Sequence, residues 1–446
     1  MNGKTVVFAG ALSVLTLAHP VFASPEPRVF TEIDVRGNDR FRDGDVIATS
    51  GLSTGVPLGE PELVAAVEAL DFTGEFDDVR IYSQGTLLII EVDETPAYSG
   101  GLTFALGYDS DSGVLGSLGL QLSDPFGPGT GVGGQLNVAE EAQTLSFAVT
   151  SRNFWSQGLS GGIRLSWENY AYDNAAFDYE IANITPYMNI TLGERMGAEL
   201  RYTYGVDEIS NVDSDASNIL QEEEGKRTSS GVGFSFLTGS ERLEDATMPP
   251  RAAWSFRFDQ DFTGLGGETE LSRTKLSFYG RAPITDNGFA IRTRIELGQV
   301  VGMGDDDPTA TDRFFLGGAS LRGFERGTVS PRDVCEGCAS DGDDIVTNLG
   351  GNQFAVARTD LLIPIFPARP GLETFIFGDI GTAWTVDSAF DASGDLRDDQ
   401  DWRSSYGLGL AVRTPLGIFE SYYALATEGQ EFDEEQKWGL TFRAEF

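Results

Sequence analysis

Residues 437–446 read Lys-Trp-Gly-Leu-Thr-Phe-Arg-Ala-Glu-Phe, and this stretch decides the fold. Apolar residues occupy every second position from 438 to 446, while the positions between them are mostly polar or charged. A two-residue period is typical of an extended strand whose two faces meet different surroundings. From residue 98 onward the same period recurs and the helical period is absent, so this region is predicted to consist of β-strands. Further examples are Leu102–Tyr108, Leu145–Val149, Ile163–Trp167 and Trp254–Phe258.

Charged side chains occur in the middle of several of these strands, as in Arg292-Thr293-Arg294-Ile295-Glu296. A soluble β-sandwich or propeller would have to bury such charges in a dry core, at a high desolvation cost. A membrane β-barrel avoids this cost because its apolar face meets lipid and its charged face lines a wet lumen. Closure of the barrel also leaves no unpaired strand edge in lipid. We therefore predict a transmembrane antiparallel β-barrel over residues 98–446.

The pattern predicts sixteen strands, an even number as in bacterial outer-membrane barrels. Short and long connections alternate, so we expect the long ones outside the cell and the short ones in the periplasm. The long connections are 207–225, 303–349, 387–402 and 428–435. The predicted strands begin near residues 98, 113, 131, 143, 158, 177, 195, 226, 252, 268, 288, 350, 372, 403, 417 and 436.

Residues 28–95 have a mixed pattern and are predicted to form one small α/β domain. An alternating strand near 29–35 is followed by a short helix that Asp43 is expected to cap. A second helix begins near Glu60-Pro61, where proline is tolerated in the first turn. Two strands, 79–83 and 87–92, complete the order strand, helix, helix, strand, strand.

The first 23 residues are predicted to be a cleaved signal peptide. They contain one cation, Lys4, an apolar stretch over 6–18, and small residues at 21 and 23. An uncleaved helical anchor is the alternative, but this apolar stretch is shorter than the roughly 20 residues that span a bilayer. Cleavage would remove His19, the only histidine of the chain.

The composition excludes several functional classes. The chain has 31 Lys and Arg against 69 Asp and Glu, a formal charge of −38, which argues against nucleic acid as a partner. A mature chain without histidine has no Ser-His-Asp triad and no His-ligated zinc. Residues 129–134 match GxGxxG and 158–162 match GxSxG, but both lie in glycine-rich strand regions and are interpreted as chance matches. We expect no enzymatic activity, no cofactor and no metal.

Two features of the long loops have more than one interpretation. Cys335 and Cys338 form a lone CxxC, which in an exported protein favours a disulfide over a metal or redox role. Acidic runs such as Glu222–Glu224 and Asp398–Asp401 are interpreted as solvated surface. Divalent-cation binding stays open as the alternative, although no loop matches a full EF-hand.

The longest loop carries the tetrad Leu321-Arg322-Gly323-Phe324 and returns at 349–352. This stretch resembles the sixth extracellular loop of the BamA/TamA superfamily of outer-membrane protein insertases and translocators, also called the bacterial surface antigen family. Its hallmark there is Val/Leu-Arg-Gly-Phe/Tyr. Residues 377–381 resemble the F-x-D-x-G strand of that family. The 28–95 unit resembles a POTRA domain, with Val35-Arg36-Gly37-Asn38 and Val92-Asp93-Glu94 among the matching pieces.

The resemblance implies roles for particular residues. Asp360 and Asp379 would pair with Arg322 and fix the loop against the inner wall of the barrel. The first and last strands, about 101–108 and 438–446, would pair weakly and open sideways. Glycines would weaken this seam because they lack side-chain packing, and the terminal strand ends in an aromatic residue. The predicted seam residues are Gly101, Gly107, Gly439 and Phe446.

The resemblance also implies function, partners and localisation. The protein would lie in the bacterial outer membrane with its POTRA-like domain in the periplasm, and would insert or export β-rich client proteins. Its partners would be the lipid bilayer and unfolded outer-membrane or secreted clients; periplasmic accessory proteins are a further class that the resemblance allows. Two alternatives stay open: a dedicated secretor of one exported partner, and a passive channel or structural barrel.

Overall fold

The structure is a computed structural model, and its described residues form two compact units, one up to residue 94 and one from residue 100. The predicted signal peptide and Phe446 lie outside the described residues. None of the described helices is long and apolar enough to cross a membrane. The described ranges are 27–71, 75–94, 100–109, 113–127, 129–152, 158–172, 175–193, 195–240, 252–285, 287–365, 372–414 and 417–444.

The first unit has the predicted strand, helix, helix, strand and strand, and it also has two two-residue strands, one before the first predicted strand and one between the helices. In its three-stranded sheet β5 is central, parallel to β2 and antiparallel to β4, and β1 pairs separately with β3. The helices pack on this sheet around buried Val46, Leu70 and Ile90. The elements are β1 (Arg28–Val29), β2 (Glu32–Arg36), α1 (Asp43–Ser50), β3 (Pro57–Leu58), α2 (Glu60–Asp71), β4 (Phe76–Gln84) and β5 (Leu87–Glu94).

The expected cap of α1 is wrong by one residue. Arg42 occupies the N-cap position and makes no side-chain cap bond, whereas Asp43 is already helical and accepts a hydrogen bond from Asn38 Nδ2 at 2.7 Å. Asp43 therefore helps through its negative charge in the first turn rather than by capping the backbone. Gly51, with φ 68°, ends the helix in the left-handed conformation that glycine adopts readily.

The second unit is a closed barrel of sixteen antiparallel strands, as predicted. Each of the sixteen barrel strands begins within three residues of its predicted start. The barrel strands are β6 (Gly100–Asp109), β7 (Gly113–Ser123), β8 (Thr130–Val138), β9 (Ala142–Ser151), β10 (Leu159–Tyr170), β11 (Asp178–Thr191), β12 (Met196–Ser210), β13 (Gly225–Gly239), β14 (Ala253–Thr263), β15 (Leu271–Pro283), β16 (Ala290–Gly302), β19 (Gln353–Ile363), β20 (Leu372–Trp384), β22 (Arg403–Thr414), β23 (Gly417–Glu428) and β24 (Trp438–Ala444).

The long connections add structure beyond the barrel wall. Helix α3 (Asn218–Glu223) lies between β12 and β13. The connection from β16 to β19, called loop six below, covers residues 303–352 and contains β17 (Arg332–Cys335) and β18 (Ile345–Asn348). Both join β21 (Asp395–Arg397) in a small sheet, with β17 in the middle. Loop six is thus hydrogen-bonded to the 385–402 connection.

The two faces of the barrel wall differ as the alternation requires. Leu102, Leu106 and Leu408 are among many large apolar side chains that are exposed on the outer face. The opposite face holds charged residues, several of which pair across strands; Arg201, for example, lies 2.7 Å from Asp261. An apolar exterior around a charged interior is the arrangement of a barrel in lipid.

Candidate loop-six site and barrel seam

Loop six folds back onto the barrel through a buried apolar cluster. Leu321 and Phe324 of the tetrad are fully buried, and Leu316 and Val329 flank them. Phe354, on the inner wall, belongs to the same cluster. These contacts hold the loop against β19 and β20, so the tetrad lies within the protein rather than in solvent.

Arg322, between these apolar anchors, contacts both predicted carboxylates. Its Nε and Nη2 donate to the two oxygens of Asp379, each at 2.7 Å, in a bidentate pair. Nη2 also donates to Asp360 Oδ1 at 2.8 Å. Asp360 lies on β19 and Asp379 on the adjacent β20, so one guanidinium joins the loop to two strands of the wall. All three side chains are buried, where charge-assisted bonds are strongest.

The electrostatics of this site favour a permanently charged Arg322. Burial lowers the pKa of Arg322, but the hydrogen bonds and charges of Asp379 and then of Asp360 outweigh burial and raise that pKa above its ordinary value. The cation also lies over the Phe377 ring, with 3.7 Å between the guanidinium carbon and the ring centroid. Asp360 has a second cation in Arg292, whose Nε donates to Oδ2 at 2.7 Å.

Gly323 explains why the tetrad needs glycine at its third position. Its φ is 98°, a region that L side chains rarely adopt. A Cβ there would also lie 2.9 Å from the Cβ of Ser405 on β22. Ser405 Oγ meanwhile donates to the carbonyl of Arg322. Only a residue without a side chain lets the loop backbone approach the wall this closely.

A second ionic cluster joins loop six to the connection before the last strand. Asp433 lies in that connection, residues 429–437, and accepts hydrogen bonds from Arg332 of loop six and from Arg403 Nε, the latter at 3.0 Å. The side chains of all three are buried. Backbone bonds run alongside: Glu325 N donates to Glu434 O at 2.8 Å, and Gln436 N to Gly323 O at 3.2 Å. Sequence reasoning missed this cluster.

A third cluster fixes loop six at its other side. Arg313 Nη2 donates to Glu223 Oε1 of α3 at 2.6 Å and to the Pro308 carbonyl at 2.7 Å. Glu223 Oε2 accepts from Ala310 N at 2.9 Å. The loop is therefore tied to the 211–224, 385–402 and 429–437 connections as well as to the wall.

The barrel closes at a short seam between β24 and β6. Among the described residues, three pairs define it: Thr441 with Asp109, Phe442 with Tyr108, and Arg443 with Gly107. On its other side β6 pairs with β7 over all ten of its residues. Among the described residues, 100–106 of β6 have no strand partner on the seam side.

The predicted seam glycines have different surroundings. Gly107 is one of the paired residues, and a Cβ added at Gly101 would have nothing within 4 Å. Gly439 instead lies under the ring of Tyr422 on β23, so that an added Cβ would be 1.9 Å from Tyr422 Cζ. The predicted lack of packing therefore describes Gly101 but not Gly439, where the aromatic ring of a neighbouring strand occupies the space.

The remaining predicted site residues lie in loop six. Cys335, at the end of β17, and Cys338 are joined by a disulfide. Among the described residues, no group of three or more His, Cys, Asp or Glu side chains is placed to hold a metal ion.

Fold and site together define a class: sixteen-stranded barrels with a loop held inside the lumen by a buried arginine. Comparison with known proteins identifies the family. The profile of the Omp85 superfamily domain matches residues 125–444. The chain therefore belongs to the Omp85 superfamily, and it is a bacterial outer-membrane β-barrel protein with its N-terminal unit in the periplasm.

Individual relatives show how far the likeness extends. Outer membrane protein assembly factor BamA of Neorickettsia risticii is 25% identical over 410 residues, which cover 90% of this chain and 53% of that protein. The crystal structure of BamA from Haemophilus ducreyi lacking POTRA domains 1–3 has a TM-score of 0.74 at 19% identity, covering 94% of this chain and 85% of that one. CdiB from Acinetobacter baumannii has a TM-score of 0.57 at 12% identity, and the match covers 94% of this chain and 74% of that one. The chain spans about half the length of the curated BamA relatives that it matches.

Proposed function

We propose that this protein assembles β-rich client proteins into the outer membrane by opening sideways between β24 and β6. The short seam supports the proposal: within residues 100–109 and 438–444, three residue pairs close it, against ten between β6 and β7. Fewer backbone hydrogen bonds make this the junction of the barrel that opens at the lowest cost.

An opened seam would provide a template for a client strand. The edge of β6 over Gly100–Leu106 would offer backbone donors and acceptors that an incoming strand can complete. The outer face of the same strand, with Leu102, Phe104 and Leu106, already faces outward like the lipid face of a client strand. No catalytic step belongs to this mechanism, because a strand is paired and released without any covalent change.

Loop six would keep the rest of the barrel in shape while the seam opens. The Arg322 pair fixes the loop to β20 and β19, which lie three and four strands before β24 in the barrel order. The Asp433 cluster fixes the start of the last strand from the other direction. In this proposal Asp360, Asp379 and Asp433 are positioning residues, and the disulfide of Cys335 and Cys338 stiffens the outer part of the loop.

A reversible lock across the seam tests this function. Tyr108→Cys with Phe442→Cys places two cysteines at directly paired positions of β6 and β24. The matched control is Tyr108→Cys with Val114→Cys, which joins the same residue to β7 and leaves the seam free. Both variants keep the Cys335–Cys338 disulfide, so reductant affects that bond equally in both.

The readout is the folding rate of a urea-unfolded outer-membrane barrel into liposomes that contain each variant. We expect the seam lock to abolish the acceleration, reductant to restore it, and the β6–β7 control to work in both states. Unchanged acceleration by the locked form would refute lateral opening. Steady ion conduction without any acceleration by the unlocked protein would favour a passive channel, and acceleration or export of a single cognate partner would favour a dedicated secretor.

A further inference from the structure

A cavity of about 310 Å³ lies at the end of the barrel where loop six begins, and it is called the rim cavity below. Its wall is formed by four separate stretches of chain, residues 222–227, 268–269, 305–309 and 388–390. Six carboxylates of this wall make no ion pair among the described residues: Glu222, Glu224, Glu268, Asp305, Asp306 and Asp307. The rim cavity thus collects negative charge from three connections that are distant in sequence.

The two cations in the same wall are paired with carboxylates outside the rim cavity. Lys226 Nζ lies 3.1 Å from Glu208 Oε2. Arg227 Nη2 lies 2.9 Å from Asp207 and 3.0 Å from Asp312. None of these three carboxylates belongs to the wall of the rim cavity. The charge that faces the cavity is therefore left for a cation from outside the protein.

Hydrogen bonds hold the walls of the rim cavity in place. Glu268 accepts a hydrogen bond from Thr228 N at 2.9 Å and another from the hydroxyl of the same residue at 3.2 Å. Asp306 accepts from Glu270 N at 2.7 Å. The ties between α3 and loop six described above fix the opposite wall. The carboxylates are thus kept around one space although like charges repel each other.

A buried hydroxyl group in the same wall also lacks a partner. Thr269 is only 5% exposed, and its Oγ1 makes no hydrogen bond within the described part of the chain. Buried polar groups are hydrogen-bonded with few exceptions, because an unmade bond costs stability. An N–H group of a ligand in the rim cavity would supply the missing donor. This hydroxyl points to a ligand independently of the carboxylates.

The arrangement of the wall selects the kind of cation. No three carboxylates among the described residues are placed to hold one metal ion, so the negative charge is spread around the cavity. The wall also has an apolar part, with Pro308 and the Phe390 ring, and Phe390 is 42% exposed. Separate ammonium groups on an aliphatic chain match both features, because each ammonium donates three hydrogen bonds and is attracted to an aromatic face.

We propose that the rim cavity binds a linear polyamine, an organic polycation whose protonated amines are joined by short aliphatic spacers. The amines pair with carboxylates of different connections, and one of them donates to Thr269 Oγ1. The aliphatic spacers lie against Phe390. The bound polyamine joins α3, the 264–270 connection and the start of loop six. Its binding requires neither a client protein nor an opened seam.

Isothermal titration calorimetry with spermidine as the probe tests the rim cavity, on the folded protein in zwitterionic detergent at fixed ionic strength. Glu222→Gln with Asp305→Asn removes two carboxylates from the cavity wall. The matched control, Glu336→Gln with Asp343→Asn, removes two exposed carboxylates from another part of loop six. We expect the cavity variant to bind spermidine roughly 25-fold more weakly, since one water-screened unit charge at contact supplies roughly fivefold. The control should bind like the wild type.

Equal affinities for the cavity variant and the control would mean that spermidine binds the acidic surface in general, and would overturn the proposal. A wild-type protein that does not bind spermidine would overturn it as well. Hexaamminecobalt(III) has the charge of spermidine in a compact shape and should bind more weakly. Equal or tighter binding of this complex would replace the polyamine by a compact hydrated metal ion.

Thr269→Val tests the buried hydroxyl without changing the charge of the rim cavity. We expect it to weaken spermidine binding roughly fivefold, the factor that one ordinary hydrogen bond supplies. The urea midpoint of the ligand-free protein should not fall, because the hydroxyl makes no bond among the described residues. Unchanged spermidine affinity together with an unchanged midpoint would remove Thr269 from the site and overturn the proposed binding mode.

Discussion

The loop-six anchor and the seam are two junctions of one barrel, and they are built in opposite ways. At the anchor, Arg322 contacts two buried carboxylates, lies over an aromatic ring and is followed by a glycine pressed against the wall. At the seam, the described parts of the first and last strands are joined by three backbone pairs. The barrel thus places its buried polar contacts at the loop-six anchor and few at the seam, where the proposed function requires the strands to separate.

Breaking the loop-six anchor should have the largest effect on the stability of the protein. Arg322→Ala would leave Asp360 and Asp379 buried without the cation that both share. Loss of one partner from a buried ion pair costs roughly 3–5 kcal/mol. Urea unfolding followed by gel mobility would measure the loss of stability. Limited proteolysis would report whether loop six is released from the wall.

Arg397→Ala is the control for this prediction, because Arg397 pairs with Glu431 and Asp395 at the exposed surface. It should leave the unfolding midpoint unchanged. Equal midpoints for the two variants would mean that the buried pair is not what holds the loop.

Disrupting the Asp433 cluster should have the second largest effect on stability. Asp433→Asn keeps the shape of the side chain but removes the charge that Arg332 and Arg403 share in a buried site. We expect a loss of about 2–4 kcal/mol, below that of Arg322→Ala because the backbone bonds around Glu434 remain. Hydrogen exchange of residues 429–437, measured by mass spectrometry, would report the loosened connection.

Glu435→Gln provides the control in the same connection, because Glu435 forms an exposed pair with Lys437. Faster exchange in Glu435→Gln than in Asp433→Asn would contradict the assignment of Asp433 as the buried tie.

A substitution at Gly439 should reduce stability less than the changes at Arg322 and Asp433. Gly439→Ala places a methyl group where the Tyr422 ring lies, so the ring or the last strand must shift, at a cost of about 1–3 kcal/mol. Gly101→Ala is the matched control on the first strand, where the space is open. Thermal unfolding should separate the two variants, and a Gly439→Ala variant as stable as Gly101→Ala would mean that Tyr422 moves away freely.

Much of this comparison was accessible from sequence. Alternation alone predicts sixteen strands, since each strand has one face in lipid and one in the lumen. The charges within strands such as 292–296 indicate that the inner face lines a wet lumen rather than a dry core. The pairing of Arg322 with Asp360 and Asp379 came from resemblance to a family rather than from spacing. Periodicity carries no information about which residues of distant strands meet.

Other contacts gave no signal in the sequence. Arg332 and Asp433 are 101 positions apart in the chain, and nothing local marks either one. Gly439 was expected to weaken the seam because it lacks a side chain, yet the ring of Tyr422 covers it. The register of a strand on its neighbour decides such contacts, and register depends on the whole closed barrel rather than on any one stretch.

Hydrogen exchange of individual backbone amides in lipid tests the central contrast most directly. The amides of the paired residues on β6 and β24 would be compared with those on β19 and β20 around Asp360 and Asp379. The account predicts that the seam amides exchange by local opening, many times faster than the anchor amides, which exchange only when the barrel unfolds. Equal protection at both junctions would contradict it, because the seam would then open no more easily than the rest of the wall.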